Sequence, residues 1–362
     1  MKTIVINGRF LTQATTGVQR CAIELVSALD RRLRGDQKVR DQWRFRLITP
    51  GRGVRTTLEL EYIPVVSTGR LTGHPWEQLE LPRHAGNQVV LNLCNTGPLA
   101  AHSVVTIYDA AVYAVPDAYS PGFRLWYRAL LPRLGRRALR VLTASVFSRG
   151  ELSSRAGIPA SKIDVIPLGS DHMLQSSPDP RVFDRIPVSP GRYILTVGSK
   201  SPHKNVEAVA RAMSQLDGAA LPLVAVGGAN PRVFSEPGNP NSAHFHSVGY
   251  VTDGELRALY QNAVCLVYPS LYEGFGLPPL EAMTCGCPAV VARAASLPEV
   301  CGDAVLYCDP RDPGDIARQI GLIQEPQRRD ELRRRGLEHA RQFTWDRAAD
   351  QLLKLLDSLP PA

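Results

Sequence analysis

What most restricts this chain is a rhythm. Short β-rich apolar runs alternate with longer helical patterns along nearly its whole length. KTIVIN is followed by GVQRCAIELVSALDRRL, then by FRLIT, VVLNL, SVVTIY and RVLTAS. The alternation resumes with KIDVIPL, YILTVGS, KNVEAVARAMSQL, LPLVAVGG, HSVGYV, DGELRALYQNA, CLVYP and PAVVA. Such alternation implies an α/β protein with parallel sheets covered on both faces. At 362 residues the chain exceeds one ordinary core and suits two domains. QSSPDPRVFDRIPVSPG (175–191) is rich in Pro and Ser and reads as a linker. The expected organisation is therefore two doubly wound, Rossmann-like domains, 1–180 and 190–345, facing a central cleft. A last helix within 345–362, WDRAADQLLKLLDSL, is expected to pack back toward the first domain.

Ligands of such folds bind at the carboxyl ends of parallel strands. TQATTGVQR, with Gly17, follows the first strand and precedes a helix; VGSKSPHKN does the same in the second domain. Glycine lets a backbone approach a ligand closely, and a helix start beside a lysine attracts phosphate. Lys204 is thus a phosphate-binding candidate, since positive charge is unfavourable at that helix end without an anion. G-x-G-x-x-G is missing, which speaks against a dinucleotide dehydrogenase. No two aspartates stand two apart, so a D-x-D metal clamp is absent, and Cys285-x-Cys287 lacks the second pair of a structural zinc site. No metal and no cofactor are expected. Seven scattered cysteines suit a reduced, cytoplasmic protein, and MKTIVINGRF enters a strand-like run at once, without the pattern of a secretory leader.

Charge is unevenly placed. Residues 1–180 hold 23 Lys and Arg against 14 Asp and Glu; residues 181–362 hold 19 against 20. Between Ala118 and Gly150 there is no acidic residue, while Arg124, Arg128, Arg133, Arg136, Arg137, Arg140 and Arg149 lie there among Phe123, Trp126 and Tyr127. Arginines interleaved with aromatic residues suit an anionic lipid surface; a solvated helix face over ordinary core is the plainer alternative. No nucleic-acid motif accompanies the charge, so nucleic acid is not an expected partner.

Two glutamates raise the functional question. Glu273 and Glu281 lie in YPSLYEGFGLPPLEAMTCGCP, among Tyr, Phe, Leu, Gly and Pro, with no Lys or Arg close in sequence. If buried, each needs a partner from elsewhere in the fold or from a ligand. E-x7-E in the form EGFGLPPLEA, followed by CPAVVARAASLPEVCGDAVLYCDP, resembles the donor-site signature of retaining glycosyltransferases of the GT-B fold, family 4 (group 1, mannosyltransferase-like). TTGVQRCAIEL, VVTIYDAAVYAVPDAYS, LTASVFSRGEL, IDVIPLGSD and ILTVGSKSPHKN extend the resemblance over nearly the whole chain.

The resemblance implies partners for both carboxylates. Glu281 would accept hydrogen bonds from the ribose of a nucleoside diphosphate, and Glu273 would hold donor-sugar hydroxyls. Gly274, Phe275, Gly276 and Leu277 would offer backbone N–H groups to the sugar and diphosphate. Lys204 would neutralise the leaving diphosphate, Gly17 would let the first domain's loop close on it, and the backbone at Val251 would meet the base. Tyr108, Asp109, Lys204 and Glu273 are the side chains it places at the chemistry. Two departures stand out. Tyr108-Asp109 replaces the family's His-Asp. Its phosphate-site arginine is also missing, with Ser199 or His203 in its place, and Lys200 is the nearest substitute. The implied activity is retaining, metal-independent transfer of a hexose, mannose or a 6-deoxyhexose, from a nucleotide sugar, preferably GDP-linked. The acceptor would be a lipid-linked or oligosaccharide chain of a surface polysaccharide, at the inner face of the plasma membrane, bound by the 1–180 domain while 190–345 holds the nucleotide sugar. A nucleotide-sugar epimerase or hydrolase of the same fold and a non-catalytic binding subunit are the competing readings.

Overall fold

The computed structural model describes residues 2–198, 201–216, 221–227 and 245–360. The chain divides into two compact units: unit 1 is 1–169 together with 344–362, and unit 2 is 170–343. Each is built on one parallel sheet.

Unit 1 contains β1 (Lys2–Asn7), β2 (Trp43–Pro50), β3 (Val65–Thr68), β4 (Val89–Asn92), β5 (Ser103–Thr106), β6 (Arg140–Thr143) and β7 (Ile163–Val165), in the spatial order β3-β2-β1-β4-β5-β6-β7. All pairings are parallel. VVLN of β4 and SVVT of β5 are buried at every residue, as strands with helices on both faces must be. The helix Gly17–Gly35 opens with a capping box between Thr16 and Gln19. The helix Val146–Ala156 begins on the Ser145 side chain and ends at Gly157, whose φ of +62° suits glycine.

Unit 2 contains β8 (Ile194–Val197), β9 (Leu223–Val226), β10 (Phe245–Gly249), β11 (Cys265–Tyr268), β12 (Ala289–Ala292) and β13 (Leu306–Cys308). Their order, β10-β9-β8-β11-β12-β13, is the doubly wound one, again all parallel. Its core joins Ile194, Val209, Val267 and Val290 to Ile316, Ile320 and Ile323 of the helix Pro313–Gln324.

Two boundaries differ from the sequence expectation. Residues 175–191 are not a free linker but a strap on unit 2. The Asp179 N–H donates to the Gly254 carbonyl at 2.9 Å, and the Arg257 guanidinium reaches the carbonyls of Leu174 (3.1 Å) and Ser176 (2.8 Å). Pro- and Ser-rich backbone that forms no long helix still needs partners, and the helix Asp253–Asn262 supplies them. A Cβ at Gly254 would stand 2.7 Å from the Ser177 carbonyl oxygen, so glycine is what lets the strap lie so close. The division falls instead at Gly169, where a Cβ would approach the Trp345 nitrogen to 2.3 Å.

The helix Trp345–Asp357 belongs to unit 1, packed on Gly17–Gly35. Trp345, Leu352 and Leu356 are its buried stripe, and burying each leucine contributes about 1.5–3 kcal/mol. Arg31–Asp346 (2.8 Å) and Arg32–Asp350 (2.7 Å) flank the seam.

Candidate functional site

In unit 2 the chain runs outward from β8 in one direction and from β11 in the other, yet β8 and β11 are neighbours. The loops leaving their carboxyl ends therefore diverge and open a crevice, the usual ligand position of a doubly wound sheet. Lys204 stands on the first loop, in the 3₁₀ turn Pro202–Lys204; Tyr268 and Glu273 stand on the second. The two loops are stitched together. The His203 carbonyl accepts from the Leu271 N–H (2.8 Å) and the Ser270 hydroxyl (3.1 Å), and Asn205 donates to the carbonyls of Pro269 and Pro310.

Three side chains meet there. The Lys204 ammonium lies 2.7 Å from Glu273 Oε1, the Tyr268 hydroxyl donates to that same oxygen at 2.6 Å, and Lys204 donates to the Tyr268 oxygen at 3.0 Å. Burial pushes the Glu273 carboxyl up, but the Lys204 charge and hydrogen bonds from Lys204, Ser270 and Tyr268 outweigh it and hold it below its usual value. Tyr268 is pushed well above the ordinary phenol, by burial first and then by the Glu273 charge. A carboxylate that sequence leaves without a neighbour is thus partnered by a lysine 69 residues away.

Glu281 sits on the helix Leu277–Thr284 and is buried. His172 Nε2 lies 3.2 Å from one of its oxygens, and the Tyr260 hydroxyl donates to the other at 3.2 Å. Gly276, just before this helix, has φ +101°, a conformation that calls for glycine, and a Cβ there would also displace a Leu297 methyl 2.5 Å away. Ser296 fastens the loop from behind by donating to the carbonyls of Glu273 and Phe275. Gly274, Phe275 and Leu277 lie on this same turn. Val251 follows the carboxyl end of β10, just before the Thr252 cap of the helix Asp253–Asn262. Ser199 and Lys200 lie outside the described residues. His203 is lowered from the usual imidazole value, by burial and then by the Lys204 charge, and among the described residues its buried Nδ1 has no hydrogen-bond partner.

Unit 1 carries its own polar cluster at the matching place, where β1 and β4 adjoin. Asn7 Nδ2 donates to Asn92 Oδ1 (2.9 Å) and Glu77 Oε1 (2.8 Å), and Arg9 Nε donates to that same Glu77 oxygen at 3.0 Å. The Arg9 guanidinium also reaches the Thr96 hydroxyl (2.6 Å), which donates to Glu77 Oε1 at 3.0 Å. Glu77 Oε2 takes His74 Nδ1 at 3.3 Å. Glu77 is held below its usual value although burial alone would raise it; the His74 hydrogen bond and the Arg9 charge outweigh that effect.

Tyr108 is buried and raised well above the ordinary phenol, by burial and then by the Cys21 and Cys94 thiols, with a hydrogen bond to Cys21. Its ring therefore belongs to the interior of unit 1. Asp109 Oδ1 accepts from the Ala111 N–H at 2.8 Å. Gly17 is exposed, and a Cβ there would meet nothing within 4 Å, so packing inside the chain does not demand glycine. In the basic segment, the helix Pro121–Arg137 exposes Phe123, Leu125 and Trp126 together with Arg128, Arg133, Arg136 and Arg137, and leaves Arg124 half-buried. Arg140 departs from the expected membrane face. It opens β6 and grips Asp164 on β7 with two hydrogen bonds of 2.6 Å. Among the described residues no helix is long and apolar enough to cross a membrane, and no group of three His, Cys, Asp or Glu could hold a metal ion.

Tyr268, His172 and Tyr260 escape sequence reasoning. Tyr268 alone had a local signal, as the last residue of a strand five places before Glu273.

Residues 183–343 match the family model described as glycosyl transferases group 1. Over 264 residues the chain is 34% identical to O-antigen chain mannosyltransferase B of Escherichia coli, spanning 69% of each. It is 31% identical over 264 residues to the serotype-specific mannosyltransferase WbdA of Escherichia coli, spanning 66% of this chain but 31% of that longer protein. Among solved structures, Anabaena HepE in complex with UDP and glucose superposes with a TM-score of 0.71 at 18% identity, over 99% of this chain and 100% of that one. That likeness is one of fold: GT-B, two Rossmann-like parallel-sheet domains in one chain.

Proposed function

The chain belongs to the group 1 glycosyltransferases, and on that footing we propose that it moves mannose or a 6-deoxyhexose from a GDP-linked donor onto a growing surface polysaccharide. The transfer retains anomeric configuration, needs no metal ion and uses a lipid-linked or oligosaccharide acceptor. The observation that carries the reading is the Lys204–Glu273–Tyr268 constellation at the β8/β11 crevice. The mannosyltransferase relatives with O-antigen products supply the substrate class.

In this mechanism Lys204 and Glu273 exchange each other for the donor. The ammonium turns to the diphosphate and stabilises the charge that grows as the glycosidic bond breaks. Glu273 turns to hydroxyls of the sugar, and the 274–277 backbone N–H groups face the sugar and phosphates. Glu281, steadied by His172 and Tyr260, accepts from the ribose. His203, whose buried Nδ1 has no hydrogen-bond partner among the described residues, stands beside Lys204, one of the two places where the family resemblance implies a phosphate-site arginine. Front-face displacement then needs no protein nucleophile, because the acceptor hydroxyl gives its proton to the departing phosphate oxygen. Tyr108 removes the imidazole that would serve a 6-hydroxyl, which favours a 6-deoxy donor. The exposed apolar and arginine side chains of Pro121–Arg137 suit adsorption to an anionic membrane at the cytoplasmic face.

A thermal-shift panel of nucleotide sugars tests the donor. A ligand at about 100 times its dissociation constant stabilises by about 2.7 kcal/mol. GDP-linked hexoses are expected to raise the midpoint. A response to UDP-sugars alone overturns the base assignment, and no response to any member overturns the donor site.

A further inference from the structure

Glu77, His74 and Trp126 form a layered arrangement on unit 1 that the donor chemistry leaves unused. Glu77 is anchored from below by Asn7 and Arg9 and is 1% exposed. Its second oxygen faces His74 Nδ1, and because that carboxyl is held ionised it can only accept. The imidazole must therefore carry a proton on Nδ1, which fixes the ring and turns Nε2 outward, an acceptor in the neutral ring and a donor in the imidazolium. His74 is 36% exposed in its side chain, and among the described residues Nε2 has no hydrogen-bond partner. Against this imidazole lies Trp126, ring centroids 5.5 Å apart, its indole 45% exposed.

An exposed indole beside a fixed polar ring nitrogen has two recognition elements. The ring face takes the apolar C–H face of a pyranose, and Nε2 takes one of its hydroxyls; ligand sites commonly pair apolar lining with a few placed polar groups. The position agrees, since the anchoring residues Asn7 and Asn92 end β1 and β4, the strands where the unit 1 sheet reverses direction. A bare lipid headgroup would use the arginines and would have no need of an imidazole held in place by a buried carboxylate.

We propose that His74 and Trp126 form a saccharide subsite on unit 1, holding a pyranose of the acceptor, with Glu77 as the positioning residue for His74. This deepens the transferase reading and rests on it for the word acceptor; saccharide binding itself does not depend on the donor.

The test uses the full chain and titrates methyl α-mannoside, methyl α-glucoside and short α-mannosides by ligand-observed NMR. It compares wild type, Trp126→Ala, Trp126→Tyr and His74→Asn. The asparagine keeps a donor for Glu77 near the Nδ1 position and removes Nε2. At least one saccharide is expected to bind wild type, about tenfold more weakly to Trp126→Ala and His74→Asn, and nearly normally to Trp126→Tyr. GDP binding and the thermal midpoint should stay unchanged in all three variants. Saccharide affinity unaltered in Trp126→Ala, or no binding of any probe to wild type, overturns the subsite. So does loss of anionic-vesicle binding in Trp126→Ala with saccharide affinity intact, which assigns the indole to the membrane. Failure of GDP sugars to bind while the saccharides still do would sink the donor reading alone.

Discussion

Lys204→Met and Glu273→Gln, made singly and together, ask whether the crevice holds one coupled unit. The side chains of Lys204 and Glu273 are 19% and 12% exposed, and their contact is 2.7 Å. Removing one partner of a buried pair costs about 3–5 kcal/mol, chiefly because the other charge is left uncompensated. Lys204→Met leaves Glu273 the Tyr268 hydroxyl and a little solvent, which sets the expected loss at the low end, about 3 kcal/mol. Glu273→Gln strands a more exposed ammonium that keeps its bond to Tyr268, so a loss of about 1.5 kcal/mol is expected. In the double variant neither charge remains, and its loss should be about 2 kcal/mol, well short of the summed single losses. Urea unfolding, compared at constant m, measures all three. Calorimetry with GDP adds the functional arm: Lys204→Met weakens binding, whereas Glu273→Gln, by freeing the lysine, preserves or strengthens it. A double variant whose loss equals the sum of the singles refutes the pair as a unit.

Glu281→Gln is expected to weaken GDP binding about ten- to a hundredfold, since a ribose bond to a charged acceptor is worth about 1.5–3 kcal/mol, while Glu273→Gln spares it; equal losses by calorimetry would end that division of roles. Glu77 and Glu273 are both held below the ordinary carboxyl value of 4.5 in the folded protein. The unfolded chain therefore binds more protons as pH falls through that range, so stability present at neutral pH should drain away below about 4.5, and the urea midpoint at pH 7 and pH 4 measures it. Glu273→Gln should flatten that dependence. Neutralising Arg128, Arg133 and Arg136 should reduce sedimentation with anionic vesicles at low salt, whereas Arg140→Gln should instead lower stability, because its partner is Asp164. Chelation with EDTA should leave the transfer rate nearly unchanged, and rescue of a collapsed rate by magnesium or manganese would remove the metal-free account.

The sheets were legible because runs such as VVLN, CLVY and AVVA are short, apolar throughout and spaced by helical patterns; burial on both faces writes itself into composition. Lys204 and Glu273 were legible one at a time, but not as a pair. Their meeting depends on β8 lying beside β11 after the chain has visited β9 and β10, which is a property of strand order. His172 and Tyr260 were hidden for the same reason: they approach Glu281 across 109 and 21 residues. The strap at 175–191 is hidden in the sequence because Pro and Ser report an absence of long helix, not an absence of partners. Arg140 carries a strand signal of its own, since RVLTAS places it at the first residue of β6.

The helix Trp345–Asp357 gives unit 1 an unusual timetable. During synthesis the 170–343 segment is complete and contiguous before that helix has emerged, so unit 2 can close its core first. The earlier segment, 1–169, must wait with the apolar seam of Gly17–Gly35 uncovered until the helix Trp345–Asp357 is made. A nascent protein of this design carries that exposed surface on the earlier segment while the whole of 170–343 is being made. Chaperone demand should then fall on the half that is made first, and a premature stop after unit 2 should yield one folded body tethered to one unfinished one.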